Sequence, residues 1–138
     1  MRIVGIGTDF VEIRRIDAAL VRHGERFAGR ILTSAEHEEW LVGGGRAPFL
    51  ARRFAAKEAV SKALGCGIGA ALSFHDLRIG HDDWRAPIVE FLGRGRETLA
   101  WRGVEACHLS ISDEQSYALA FVVLEGKSGA GGPSGHLA

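Results

Sequence analysis

The chain has 138 residues, 46% of them hydrophobic and 25% charged, the balance of one folded domain rather than of a disordered or fibrous protein. Seventeen basic residues match seventeen acidic ones, so the net charge is zero, which argues against non-specific nucleic-acid binding. Cys66 and Cys107 are the only cysteines and lack a metal-type spacing. No stretch approaches the ~20 apolar residues of a membrane span, so a cytoplasmic protein without a membrane partner is expected.

Residues Ile3–Asp9 alternate as a strand, and Gly5 and Gly7 empty one face of it, so that backbone or ligand can come close. Ile13, Ile16, Leu20 and Phe27 form one stripe at helical spacing and predict a helix over Glu12–Arg30. Arg15, Arg22 and Arg26, spaced by seven and four, share a second narrow stripe that faces solvent or an acidic partner. Thr33-Ser34-Ala35-Glu36 matches a capping box and opens a short helix to about Trp40, which Gly43-Gly44-Gly45 ends. Pro48 suits the first turn of a helix over Pro48–Leu64, closed by Gly65.

Two strands follow, Ser73–Gly80 and Pro87–Leu92, joined by a turn at His81-Asp82-Asp83, and then a short helix over Arg96–Arg102. Glu105–Ser112 and Tyr117–Leu124 make an antiparallel hairpin around Asp113-Glu114-Gln115-Ser116. From Gly126 to Ala138, five Gly, one Pro and two Ser read as a disordered tail, which leaves residues 1–125 as a single domain. Strands and helices mix without a strict β-α-β rhythm, so the fold class is α+β.

Gly65-Cys66-Gly67-Ile68-Gly69-Ala70 spells a dinucleotide fingerprint, but it follows a helix where that motif must follow a strand. The lysines outside the tail, Lys57 and Lys62, both fall in the helix Pro48–Leu64 beside Arg53, a set of cations able to hold phosphate. The plainer reading makes Glu58 and Lys62 a surface pair worth a few tenths of a kcal/mol. Asp9 is either a turn former or, with Glu58, one of two hard oxygen ligands of the kind Mg²⁺ takes. His108, Ser110 and Ser112 share a strand face opposite Cys107, Leu109 and Ile111. That polar face is either plain exposed sheet or a hydrogen-bonding wall for a polar ligand.

These segments resemble the holo-[acyl-carrier-protein] synthase family, the small bacterial 4′-phosphopantetheinyl transferases. The matching residues are Gly5-Ile6-Gly7-Thr8-Asp9 with Arg15-Ile16; Arg53-Phe54-Ala55-Ala56-Lys57-Glu58-Ala59 with Ser61-Lys62-Ala63-Leu64-Gly65; Leu72-Ser73-Phe74 with Asp76; and His108-Leu109-Ser110-Ile111-Ser112. They stand in the family's order and cover Met1 to about Glu125. The resemblance implies an antiparallel sheet packed on a long central helix, assembled as a homotrimer with active sites between subunits. It implies transfer of the 4′-phosphopantetheine arm of coenzyme A to a serine of apo acyl carrier protein, with release of adenosine 3′,5′-bisphosphate.

By the same resemblance, Asp9 and Glu58 bind Mg²⁺, and the catalytic residues are Glu58 and Lys62. Arg53, Lys57 and Lys62 hold the phosphates, Phe54, Gly65, His108 and Ser110 line the coenzyme site, and Arg46 helps bind the 3′-phosphate. The acidic carrier protein meets Arg15, with Arg22 and Arg26 following by helical geometry. Trp84-Arg85-Ala86-Pro87 departs from the family's Gly-basic-Pro turn, with the basic residue shifted by one. A competing reading is a non-catalytic module that holds an acidic protein through the arginine stripe and needs no metal.

Overall fold

Alternation in the apolar strands and one unusually alanine-rich helix set the layers of this α+β chain. The computed structural model describes residues 1–127. In chain order the elements are β1 (Arg2–Glu12), α1 (Ile13–His23), α2 (Glu25–Ile31), α3 (Ser34–Val42), α4 (Ala47–Leu64), β2 (Leu77–His81), β3 (Pro87–Phe91), α5 (Arg94–Trp101), β4 (Val104–Asp113) and β5 (Tyr117–Gly126). Three strands form an antiparallel sheet in the order β1-β5-β4, while β2 and β3 make a separate antiparallel ribbon.

Helix α4 lies against β1 and β5. Ala51, Ala55, Ala59 and Ala63 recur every four residues and are all buried on that side. Gly5 and Gly7 of β1 meet this row without side chains of their own. A Cβ added to Gly5 would run into the carbonyl oxygen of Ala63, and one added to Gly7 into the carbonyl of Ala59 and the amide of Ala63. The bare strand face therefore receives helix backbone. Leu50, Val60 and Leu64 of α4, with Val122 and Leu124 of β5 and Leu77 and Ile79 of β2, are fully buried. Burying each such side chain stabilises the fold by roughly 1.5–3 kcal/mol before entropy is counted.

The other face of the sheet is uncovered. Ile6 and Phe10 of β1 and Leu119 and Phe121 of β5 are exposed, and Phe10 stacks on Tyr117 at 4.5 Å between ring centres. Registered beside them are His108 with Val123 and Ser110 with Phe121.

Three expectations need correction. The helix expected over Glu12–Arg30 is two helices, because Gly24 adopts φ 61°, ψ −149°, a conformation that suits glycine and interrupts the ladder. Its amide closes α1 on the Leu20 carbonyl at 2.7 Å, and its own carbonyl accepts from Phe27 at 3.1 Å to start α2. Arg26 thus sits beyond the break, and its alignment with Arg15 and Arg22 no longer follows from one helix. Ser73–Asp76 is a tight capped turn rather than strand, since the Ser73 amide donates to the Asp76 carboxylate at 2.8 Å. Gly126 is the last residue of β5, paired with both Arg2 and Val104, so the tail does not begin there. The rest of that expected tail, residues 128–138, lies outside the described residues. The capping box of α3 is formed as the sequence predicts, with Thr33 N–H donating to Glu36 Oε1 at 2.8 Å.

Candidate active site

The alternation that turns Gly5 and Gly7 toward α4 also turns Asp9 toward it. Glu58 and Lys62, one turn apart, flank the alanine row at that point. Lys62 Nζ donates to Asp9 Oδ1 at 2.9 Å and to the Thr8 carbonyl at 3.0 Å. The surface pair expected between Glu58 and Lys62 thus gives way to a pair between helix and strand. Asp9 Oδ2 is buried and has no hydrogen-bond partner. Glu58 holds its proton more tightly than an ordinary carboxyl group, first because of burial and then because of the negative charge of Asp9, against which Lys62 acts.

Two carboxylates that repel each other, one with an orphaned oxygen, are the donor set a hard divalent cation uses. Among the described residues no three or more His, Cys, Asp or Glu side chains gather into a metal cluster. Water and ligand phosphate oxygens would complete the shell, the arrangement Mg²⁺ favours. The residues present fit the ion.

Lys57 is elsewhere. Its side chain is 0% exposed, and Nζ donates to Glu36 Oε1 at 2.6 Å, to the Ile31 carbonyl at 2.7 Å and to the Phe74 carbonyl at 3.1 Å. All three ammonium protons are engaged inside the protein, so Lys57 is not placed to hold a phosphate. Glu36 Oε2 also accepts from the Ile79 amide at 2.8 Å, so this buried carboxylate joins α3, α4 and β2. Burial loosens the hold of Lys57 on its proton, and Glu36 restores part of it. The sequence marks Glu36 as a cap; nothing in its spacing marks it as the partner of Lys57.

Arg53, one turn before Lys57, is 3% exposed, lies 4.4 Å over the Phe49 ring, and keeps Nε 3.8 Å from Glu36 Oε2 without a hydrogen bond. Phe54 precedes Glu58 by one turn on the same side of α4 and packs on Phe74 at 5.7 Å. Gly65 closes α4, and Arg46 stands exposed at the other end of that helix. His81, at the end of β2, binds its proton less readily than usual, through burial and then the charge of Arg53. The turn beyond it is held by Asp82, whose Oδ1 accepts from the amides of Trp84 and Ala86 at 2.8 and 2.9 Å.

His108 and Ser110 are not brought to the carboxylates within the chain. They project from the outward face of β4, whereas Asp9 faces α4 on the other side of the sheet. His108 Nε2 lies 2.7 Å from Glu125 Oε1, a partner no sequence signal announces. Arg15, Arg22 and Arg26 are all exposed.

Residues 5–122 match the family model of the 4′-phosphopantetheinyl transferase superfamily. The chain belongs to that superfamily. Within it, the holo-[acyl-carrier-protein] synthase of Vibrio cholerae is 50% identical over 123 residues, which is 89% of this chain and 98% of the relative. That of Alkalilimnicola ehrlichii is 52% identical over 124 residues, with 89% and 97% covered. Among solved structures, the holo-[acyl-carrier-protein] synthase of Neisseria meningitidis superposes with a TM-score of 0.85 at 45% identity, covering 89% of this chain and 98% of its own. The Bacillus anthracis enzyme, solved in complex with CoA (3′,5′-ADP), gives 0.76 at 40% identity, with 92% and 100% covered.

Proposed function

We propose that this protein transfers the 4′-phosphopantetheine arm of coenzyme A to a serine of apo acyl carrier protein. The serine oxygen bonds to the phosphorus that carries the arm, the pyrophosphate P–O bond breaks, and adenosine 3′,5′-bisphosphate leaves. The hydroxyl proton passes to a base. The observation that carries this reading is the meeting of Asp9, Glu58 and Lys62 in a chain half identical to synthases along almost their whole length. Asp9 and Glu58 would hold Mg²⁺, which when bound neutralises charge building on the phosphorus and the leaving group. Lys62 would add an ammonium donor beside it, and Arg53 a guanidinium for the coenzyme phosphates. Phe54, Gly65 and Arg46 would line or close the coenzyme site, and Arg15, Arg22 and Arg26 would meet the acidic carrier.

The site is read as shared between copies of the chain. Its support is the uncovered apolar sheet face around Ile6, Phe10, Leu119 and Phe121, and the position of His108 and Ser110 on that face rather than beside Asp9. A homotrimer would cover the apolar surface and bring those polar groups to a neighbour's carboxylates. A cytoplasmic setting agrees with the absence, among the described residues, of a helix long and apolar enough to cross a membrane. The test incubates purified protein with coenzyme A, Mg²⁺ and apo carrier protein. A carrier mass gain of one phosphopantetheine arm is expected, and its loss in Asp9→Asn. Binding of several carrier proteins with no mass gain in any would favour the non-catalytic module instead.

A further inference from the structure

Of the two lysines of α4, Lys62 is the one that solvent reaches. Its side chain is 50% exposed, while the Asp9 carboxylate it bonds is only 13% exposed. The ammonium therefore reaches in from solvent to a carboxylate that is fixed by the strand. It takes one oxygen of Asp9 and the neighbouring Thr8 carbonyl, and it leaves Oδ2 buried and unpaired. Glu58 feels both charges, that of Asp9 against its ionisation and that of Lys62 in favour. The site thus sets two acidic groups against one ammonium, which reaches Asp9 from solvent. Lys57 is instead caged by three acceptors.

We propose that Lys62 is a resident counter-ion, bonded to Asp9 only until a divalent cation takes that carboxylate. Lys62 then leaves Asp9, and its ammonium becomes available to an anionic ligand at the same site. The inference rests on the reading of Asp9 and Glu58 as metal ligands and adds a coupling to it. An ammonium that stayed on Asp9 would stand close to a doubly charged ion, a repulsion that persists even at the high effective dielectric of a half-exposed site. An ammonium that departs exchanges a half-exposed pair, weak because solvent screens it, for solvent or ligand phosphate. Metal loading and the recruitment of Lys62 to phosphate become one event, and metal binding has to compete with the lysine.

The experiment uses Mn²⁺ as probe on the full chain without coenzyme, with free Mn²⁺ followed by electron paramagnetic resonance. Lys62→Met should bind Mn²⁺ about two- to fivefold more tightly than the unaltered protein, since the competitor is gone. A crystal of the Mn²⁺-loaded, coenzyme-free protein should show Lys62 Nζ more than 4 Å from Asp9 Oδ1, the limit of an ion pair. Binding by Lys62→Met that is no tighter, or Mn²⁺ seated with the Lys62–Asp9 bond intact, overturns the inference. Asp9→Asn and Glu58→Gln separate this from the underlying metal reading. If both bind Mn²⁺ as well as the unaltered protein does, the metal assignment fails; if both bind weakly and Lys62→Met is not tighter, only the lysine displacement fails.

Discussion

Replacing Lys57 by methionine distinguishes an interior lysine from a phosphate ligand. Methionine keeps the length of the chain and its apolar stem but removes a charge bonded to Glu36 Oε1, the Ile31 carbonyl and the Phe74 carbonyl. Removing one partner of a buried ion pair costs about 3–5 kcal/mol, chiefly because the other charge is left without compensation. Glu36 retains the amides of Thr33 and Ile79, and Arg53 Nε at 3.8 Å, so the loss should fall near the lower end, about 3 kcal/mol. Urea unfolding followed by circular dichroism measures it as a lower midpoint at unchanged slope. Adding Glu36→Gln to Lys57→Met neutralises the stranded carboxylate but turns an amide NH2 toward the Thr33 or Ile79 N–H, so the two changes together should cost less than the sum of the single ones. At a temperature where Lys57→Met is folded, its KM for coenzyme A should stay within about twofold of the unaltered value. A loss below about 1 kcal/mol together with a large rise in that KM would refute the interior role.

Two further substitutions test the contact of β1 with α4. Gly7→Ala places a methyl group against the Ala59 carbonyl and the Ala63 amide, so strand and helix must part. A loss of about 2–3 kcal/mol in urea unfolding is expected, and one below about 0.5 kcal/mol would show that the layers yield freely. For Glu58, the folded carboxyl holds its proton more tightly than the unfolded one, so metal-free protein loses stability as pH rises from the ordinary carboxyl range through the raised value. Glu58→Gln should therefore raise Tm in chelator at pH 7 by about 2 °C, the effect of on the order of 0.5 kcal/mol in a domain of this size. The gain should vanish near pH 3, where Glu58 is protonated as well; no gain at pH 7, or an equal gain at both values, contradicts the cause assigned to the shift.

Much of this arrangement is written locally in the chain. The four-residue recurrence of alanine in α4 and the two glycines of β1 are a matched pair of small surfaces. Strand alternation puts Asp9 on the glycine face and helical spacing puts Glu58 and Lys62 on one side of α4, but spacing alone does not show that carboxylate and helix side meet. The Thr33–Glu36 cap is equally legible, because both halves of it lie within one turn. Gly24 breaks the helix, yet the apolar spacing of Ile13, Ile16, Leu20 and Phe27 runs straight across it and predicts continuity. What decides there is backbone conformation, which hydrophobic period does not report. The fate of Lys57 is illegible for another reason: its three acceptors come from α2, α3 and the turn before β2, at separations of 26, 21 and 17 residues. Local spacing shows two lysines on one helix and cannot tell the interior one from the one that reaches Asp9.

The irregularity at the start of β1 governs everything after it. Pairing with β5 slips between Ile3 and Gly5, so Val4 is left over, and Arg102 holds that spot by donating to the Val4 carbonyl at 3.0 Å and to the Leu64 carbonyl at 3.2 Å. Side chains on a strand change sides with every residue. This single extra residue, clamped from the far end of the sequence, therefore sets the parity of the strand, sending Ile6 and Phe10 outward and Asp9 inward. Deleting Gly7 would put Ile6 and Asp9 on one face of the strand, so the carboxylate could keep facing α4 only by bringing an isoleucine with it, where the helix leaves room only for hydrogen.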